Sequence, residues 1–374
     1  MTAMANGASC LLTNAAGLPV AVSVFKGNTA DPTTLLGQVH KVREQFGLRA
    51  VAVVGDRGMI SQKQIDALRA IDGMQWITAL RSDAIGALVA QGHVQLGLFD
   101  ERNLFELTHP DYPGERLVAC RNPELAKSRG HTRQSLLAAT QRELDIVCGM
   151  VKRGRLKGQD AIGVRVGKVI NKYKVAKHFV LDIGARAFSY HRDEEKVQRE
   201  TALDGIYIIR TSLAASTLSA ADAVRSYKQL SNVERAFRCY KTIDLKVRPI
   251  HHHVEERVRA HIFLCLLAYY VEWHMIEAWR PLLFGDEDQQ AKQTRDPVAP
   301  ARRSAKALAK VHSRRLEDGS VVHSFRTLLG ELTTIVRNTC RPPGTEAETA
   351  TFEMITRPNP TQARAAELLQ TIIV

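Results

Sequence analysis

The 374 residues include 52 Lys and Arg against 39 Asp and Glu, a formal charge of +13, and 45% are hydrophobic. Such a chain is globular, long enough for two or three domains, and its positive excess favours a polyanionic partner and salt-sensitive binding. Six scattered cysteines with no Cys-x-x-Cys pair argue against a zinc site or a disulfide framework and suit a reducing cytoplasm.

The start, Met1-Thr-Ala-Met-Ala-Asn-Gly, lacks the basic and apolar pattern of a secretory signal. Ser9 to Thr13 and Pro19 to Phe25 are short apolar runs around Asn14-Ala-Ala-Gly17 and read as a hairpin. In Thr33 to Phe46 the residues Leu35, Val39, Val42 and Phe46 have the spacing of one buried helix face. Ala50 to Val54 is a continuous apolar run, the pattern of a strand covered on both faces. Asp56 lies just past its end. Open α/β sheets bind ligands beyond the carboxyl ends of their strands, which suits Asp56 as a metal ligand; before Arg57-Gly58 it suits a turn equally well. Ser61 and Gln64 have the spacing of a capping box opening a helix to Ile71, and Gln75 to Leu80 reads as the next strand.

From Arg81 to Leu203 the α/β alternation lapses. Strand-like pieces, Leu104 to Thr108 and Leu117 to Ala119, precede a polar helical stretch from Pro123 to Lys152. Lys152 to Lys177 then holds nine Lys or Arg against Asp160 alone, and Phe179 to Asp182 is a strand. The region reads as an insertion, because Asp204-Gly-Ile-Tyr-Ile-Ile-Arg-Thr211 resumes the strand pattern. Arg248-Pro249 breaks the chain before a long helix, Val254 to Trp279, whose Trp273, Ile276 and Trp279 are core residues. Its apolar run Ile262 to Val271 is too short to span a bilayer. His251, His252 and His253 point in alternating directions on an extended segment and make a polar cluster rather than a metal site. Arg302 to Arg315 holds six cations and no acid, and a last helix spans Ser324 to Val336.

The densest chemistry lies between Tyr227 and Lys241. Tyr227, Glu234 and Lys241 stand seven residues apart, so on one continuous helix all three project from one side. A carboxylate flanked by a hydroxyl and an ammonium, with Arg235 and Arg238 nearby, suits phosphate chemistry: the acid holds a divalent cation and the cations hold a phosphate backbone. The alternative is a solvated amphipathic helix with an internal Glu234–Arg238 pair.

Tyr227-x2-Leu230-x3-Glu234-x6-Lys241 resembles the Tyr-x2-Arg-x3-Glu-x6-Lys signature of DDE transposases of bacterial insertion sequences, with Leu230 where the signature has Arg. Gly27-Asn-Thr-Ala-Asp31, Val53-Val-Gly-Asp56-Arg-Gly, Asp204 to Thr211, Val247-Arg-Pro-Ile-His251 and Pro360-Thr-Gln-Ala also look like this family.

The resemblance implies an α/β fold with a ribonuclease H-like mixed sheet flanked by helices. Residues 1–80 would be the first part of the core, 81–203 an insertion that helps grip the transposon end, 204–285 the second part, and 286–374 a basic linker and helical tail. It further implies metal-assisted phosphoryl transfer, in which three carboxylates hold two Mg²⁺ ions (Mn²⁺ as the alternative) about 3.5–4 Å apart. Asp56 and Glu234 would be the second and third acids, with Tyr227 and Lys241 on backbone phosphate and Arg235 and Arg238 adding positive potential. The expected partner is double-stranded DNA at insertion-sequence ends, bound by a homodimer in the cytoplasm and not at a membrane.

The first acid is the exception. Only Asp31 and Glu44 precede Asp56, and neither has a strand position. The chain therefore reads as truncated at its start, without the first catalytic strand, its Asp and the amino-terminal DNA-binding region, and weak or absent activity is expected. Two other functions fit the same residues: a non-catalytic DNA-binding remnant, and a metal-dependent nuclease on the same fold.

Overall fold

The computed structural model describes residues 8–26, 28–101, 103–239, 245, 247, 249–285, 296–299, 302–343 and 351–373. These fall into two compact units. The first comprises the described residues of Met1–Gly47, Lys228–Arg295 and Ala301–Val374, the second those of Leu48–Tyr227 and Asp296–Pro300.

The first unit opens with the expected hairpin, β1 (Ala8–Thr13) antiparallel to β2 (Pro19–Phe25). Helix α1 (Asp31–Gln45) follows and buries Leu35, Val39 and Val42. Phe46, expected on that face, is instead the exposed residue that ends the helix.

The second unit holds a five-stranded mixed sheet. Strand β3 (Val51–Val54) leads through α2 (Gln62–Arg69) to β4 (Met74–Ala79), which is parallel to β3 because the helix carries the chain back across the sheet. Gly73 makes the close return to β4: at φ +77° it lies where a Cβ would stand 2.3 Å from the Arg49 carbonyl oxygen. Helix α3 (Ser82–Ala90), β5 (Leu104–Leu107) and β6 (Arg116–Arg121) follow.

Next come α4 (Pro123–Lys152), α5 (Gln159–Lys172), the hairpin β7 (Phe179–Ile183) and β8 (Phe188–Arg192), and α6 (Glu194–Ala202). They pack their own core around Leu137, Leu144, Ile162, Val166 and Phe179. The region between Arg81 and Leu203 thus contributes in two ways, since β5 and β6 join the main sheet and the later elements form a separate subdomain.

Strand β9 (Ile206–Thr211) returns to the sheet, whose order is β3-β4-β9-β6-β5, and pairs antiparallel with β4 and β6. Its alternating side chains feed two cores. Ile209 packs with Ile77, Val118 and the helix α7 (Ala220–Lys228), and Ile206 and Ile208 pack with Ile85, Leu88 and Leu117.

Two local readings change at the start of this sheet. Strand β3 lies at its edge with Ala52 exposed, where a strand covered on both faces was expected. The Ser61 hydroxyl bonds the Gln64 side chain rather than a backbone amide, so the expected capping box does not form.

The remaining elements belong to the first unit. Helices α8 (Leu230–Arg238) and α9 (Glu255–Ala278) enclose a core of Leu11, Ala236, Val258, Ile262, Leu266 and Tyr269. Trp279 is fully buried with Leu282, Leu328 and Ala365, and its indole N–H donates to the Ala365 carbonyl at 2.9 Å. That cluster joins α11 (Phe325–Leu332) and α12 (Pro360–Gln370) to the unit, which also holds α10 (Ala305–Ser313) and the hairpin β10 (Arg337–Cys340) and β11 (Phe352–Ile355). Helix α11 stops at Leu332, four residues before its expected end, as the chain turns into β10. The mixed sheet with flanking helices is the α/β architecture the sequence implied.

Candidate active site

Asp56 stands two residues beyond β3, exposed, in a tight turn. Its Oδ1 accepts the amides of Gly58 at 2.9 Å and Met59 at 2.7 Å, and its carbonyl accepts those of Met59 and Ile60. Gly58 admits this folding back, since a Cβ there would lie 3.3 Å from Oδ1. Oδ2 takes no hydrogen bond among the described residues. Asp56 therefore takes the turn role, with Oδ1 fixed by the backbone and Oδ2 left without a partner among the described residues.

Tyr227 and Glu234 do not share one helix. Helix α7 ends at Lys228 and α8 begins at Leu230, with a tight bond from the Asn232 amide to the Gln229 carbonyl at 2.8 Å across the junction. Seven-residue spacing places side chains on one face only along an uninterrupted helix, so the single-face reading is corrected. Tyr227 closes the second unit, half-buried against the cluster of Ile209, Ala223 and Val224, on which Val54 also packs.

Glu234 belongs to the first unit. Helix α8 buries Ala236 and exposes Glu234, Arg235 and Arg238. Among the described residues Glu234 and Arg238 do not form the internal pair of the solvated-helix reading. Asn232 on the same helix donates to the Ala15 carbonyl at 3.2 Å, which seats α8 on the β1–β2 turn. Lys241 lies outside the described residues, as do Gly27, Arg248 and the acidic patch from Asp286 to Asp288.

All nine cations between Lys152 and Lys177 are exposed, along the end of α4, α5 and the turn after it. Two are tied to carboxylates, Lys172 to Glu143 at 2.5 Å and Lys177 to Glu200 at 2.8 Å. The second basic run is less uniform. Lys310 is buried and donates to the carbonyls of Pro281 and Leu283, both at 3.2 Å, which makes it a structural residue.

Residues 251–253 are exposed ahead of α9, and among the described residues no group of three or more His, Cys, Asp or Glu could hold a metal. No helix of the described residues is long and apolar enough to cross a membrane.

Sequence reading passed over two features. Arg210 interrupts the apolar run of β9, a visible signal, and is held in a buried pair with Glu115. Arg57 reaches the Ser82 hydroxyl at 3.5 Å, linking the turns that follow β3 and β4.

The sheet, the turn at Asp56 and the α8 surface lie within a single family match: the model described as transposase DDE domain matches residues 8–271. Neither the curated proteins nor the solved structures contain a match. With well over half of its length covered, the chain belongs to the transposase DDE domain family.

Proposed function

We propose that this transposase-family chain binds double-stranded DNA at insertion-sequence ends and that Asp56 and Glu234 are its ligands for a divalent cation, Mg²⁺ or Mn²⁺. The observation that carries this reading is the Asp56 carboxylate, oriented by two backbone amides through Oδ1 with Oδ2 uncommitted at the carboxyl end of β3. When bound, such a cation supplies Lewis-acid stabilisation of the phosphate and activation of the attacking oxygen. The chain's residues do the rest. Asp56 presents a fixed donor, Glu234 an exposed one, and Tyr227 and Lys241 contact backbone phosphate. Arg235 and Arg238 on α8, and separately the cations of α5, add positive potential that attracts the polyanion.

A third carboxylate is not supplied by the strands that precede Asp56: β1 and β2 bear no acid, Asp31 opens α1 and Glu44 lies in its last turn. In this reading the chain is a DNA binder with weak cleavage activity. A homodimer joining two DNA ends is the assembly this reading favours.

The test is to incubate the purified chain with duplex DNA carrying the ends that flank its gene, across a range of salt, Mg²⁺ and Mn²⁺. Steep salt-dependent binding with little or no cleavage is expected. Vigorous metal-dependent cleavage abolished by Asp56→Ala would overturn the impairment, hydrolysis without strand joining would favour a nuclease, and failure to bind DNA at low salt would overturn the whole reading.

A further inference from the structure

Four charged residues follow two neighbouring strand ends at one rim of the second unit. Strands β3 and β4 are parallel, with Val54 opposite Ile77 and the Gly55 amide bonded to the Ile77 carbonyl at 3.1 Å, so both release their chains at the same end. Asp56 and Arg57 follow β3, and Arg81 and Asp83 follow β4. All four are exposed.

Among the described residues none of the four forms an ion pair. The Asp56 carboxylate is turned back onto the amides of Gly58 and Met59, and Arg57 reaches across to the Ser82 hydroxyl instead of to either acid. Elsewhere in this unit Arg133 pairs with Asp204, Arg210 with Glu115, Arg225 with Asp222 and Lys196 with Asp193. The rim instead presents two exposed guanidinium groups beside a carboxylate held by backbone amides.

A guanidinium fork matches a phosphate geometrically, with two parallel N–H bonds to its oxygens. We propose that Arg57 and Arg81 hold a DNA backbone phosphate at this rim, beside Asp56. Arg57 is the principal contact because it reaches across towards Ser82 at the neighbouring strand end, and Arg81 closes on the same phosphate or its neighbour from the start of α3. They are positioning residues, and the inference rests on the reading that Asp56 marks the reactive end of the sheet.

The experiment measures binding of a duplex oligonucleotide to the full chain without metal at several salt concentrations. Arg57→Ala and Arg81→Ala should each lower the slope of log affinity against log salt by about one, and the double variant by about two. Arg57→Lys, which keeps the charge, should retain the slope and lose part of the affinity. Both residues are exposed, so far-UV circular dichroism and the thermal midpoint should match the unaltered chain. A double variant that folds and keeps the original slope overturns the proposal. Mn²⁺ affinity of Asp56→Ala, measured separately, tests the underlying reading: unchanged metal affinity would remove Asp56 as a ligand while leaving an altered arginine slope standing.

Discussion

Glu115 and Arg210 form a fork-to-fork ion pair inside the second unit, with Nε donating to Oε2 at 2.5 Å and Nη2 to Oε1 at 2.6 Å. The Glu115 side chain is fully buried. Arg69 adds a third donor at 3.3 Å, Gln62 accepts from Arg210 at 3.1 Å, and the Arg210 guanidinium lies over the Tyr112 ring at 4.8 Å. The network ties β9 to α2 and to the turn before β6. Glu115→Ala leaves a buried guanidinium without its anion and should cost about 3–5 kcal/mol in urea unfolding. The joint replacement Glu115→Leu with Arg210→Met should cost less than either single change, because no lone charge remains.

The two oxygens of Asp56 can be separated by substitution. Asp56→Asn keeps an oxygen for the Gly58 and Met59 amides, so its stability should stay within about 0.5 kcal/mol of the unaltered chain. Asp56→Ala loses both bonds and should be about 1–2 kcal/mol less stable. If Asp56 is a metal ligand, Mn²⁺ affinity should fall in both variants. Thermal melts alongside Mn²⁺ titration check the pair.

Gly17 seats the helix that carries Glu234. At φ +85° it occupies the left-handed region, and a Cβ there would stand 3.0 Å from the Asn232 Cβ. Gly17→Ala combines backbone strain with a displaced α8 and should cost about 1–3 kcal/mol, seen as a lower urea midpoint.

His178 predicts an acid-side loss of stability. Its Nε2 lies 2.7 Å from Glu200 Oε2, while Nδ1 is buried with no partner among the described residues. Burial lowers its pKa from the ordinary 6.5; Glu200 opposes that shift, and Lys177 and Arg133 reinforce it. Arg133 also faces Asp204. A depressed folded-state pKa means the unfolded chain binds the proton more readily, so this contribution is complete above about pH 6.5 and is lost as pH falls towards the folded value.

Glu200 adds a second loss at lower pH. Burial pushes its carboxyl up, but Lys177, His178 and Arg133 together bring it below the ordinary 4.5. Unfolding free energies measured from pH 7.5 to 5 should decline for the unaltered chain and stay flatter for His178→Gln.

Elements whose periodicity runs uninterrupted were legible in advance. The β1–β2 hairpin, α1, α4, α9 and β9 all follow from apolar spacing, and α4 has the very bounds its polar stretch suggested. Other features depend on neighbours that spacing does not encode. The run at Val51–Val54 reads alike for a central and an edge strand, because it records an apolar surface and not the number of strands beside it. No Gly or Pro marks the junction at Gln229, so local propensity continues through a break visible only in the fold. Lys310 counts as one more cation until the carbonyls of Pro281 and Leu283 are brought to it.

The order of short motifs already pointed to the transposase family that the match over residues 8–271 shows, and singled out Asp56 and Glu234 as candidates. Chemistry tied to residue type and strand position can be read along one dimension, since a carboxylate just past an apolar run needs few neighbours to be recognised. Only the tertiary structure decided that one Asp56 oxygen is committed to a turn, that Tyr227 and Glu234 occupy separate helices, and that Arg57 and Arg81 stand at one rim with no ion pair among the described residues. Each of those outcomes depends on hydrogen bonds and packing between segments that the chain order leaves apart.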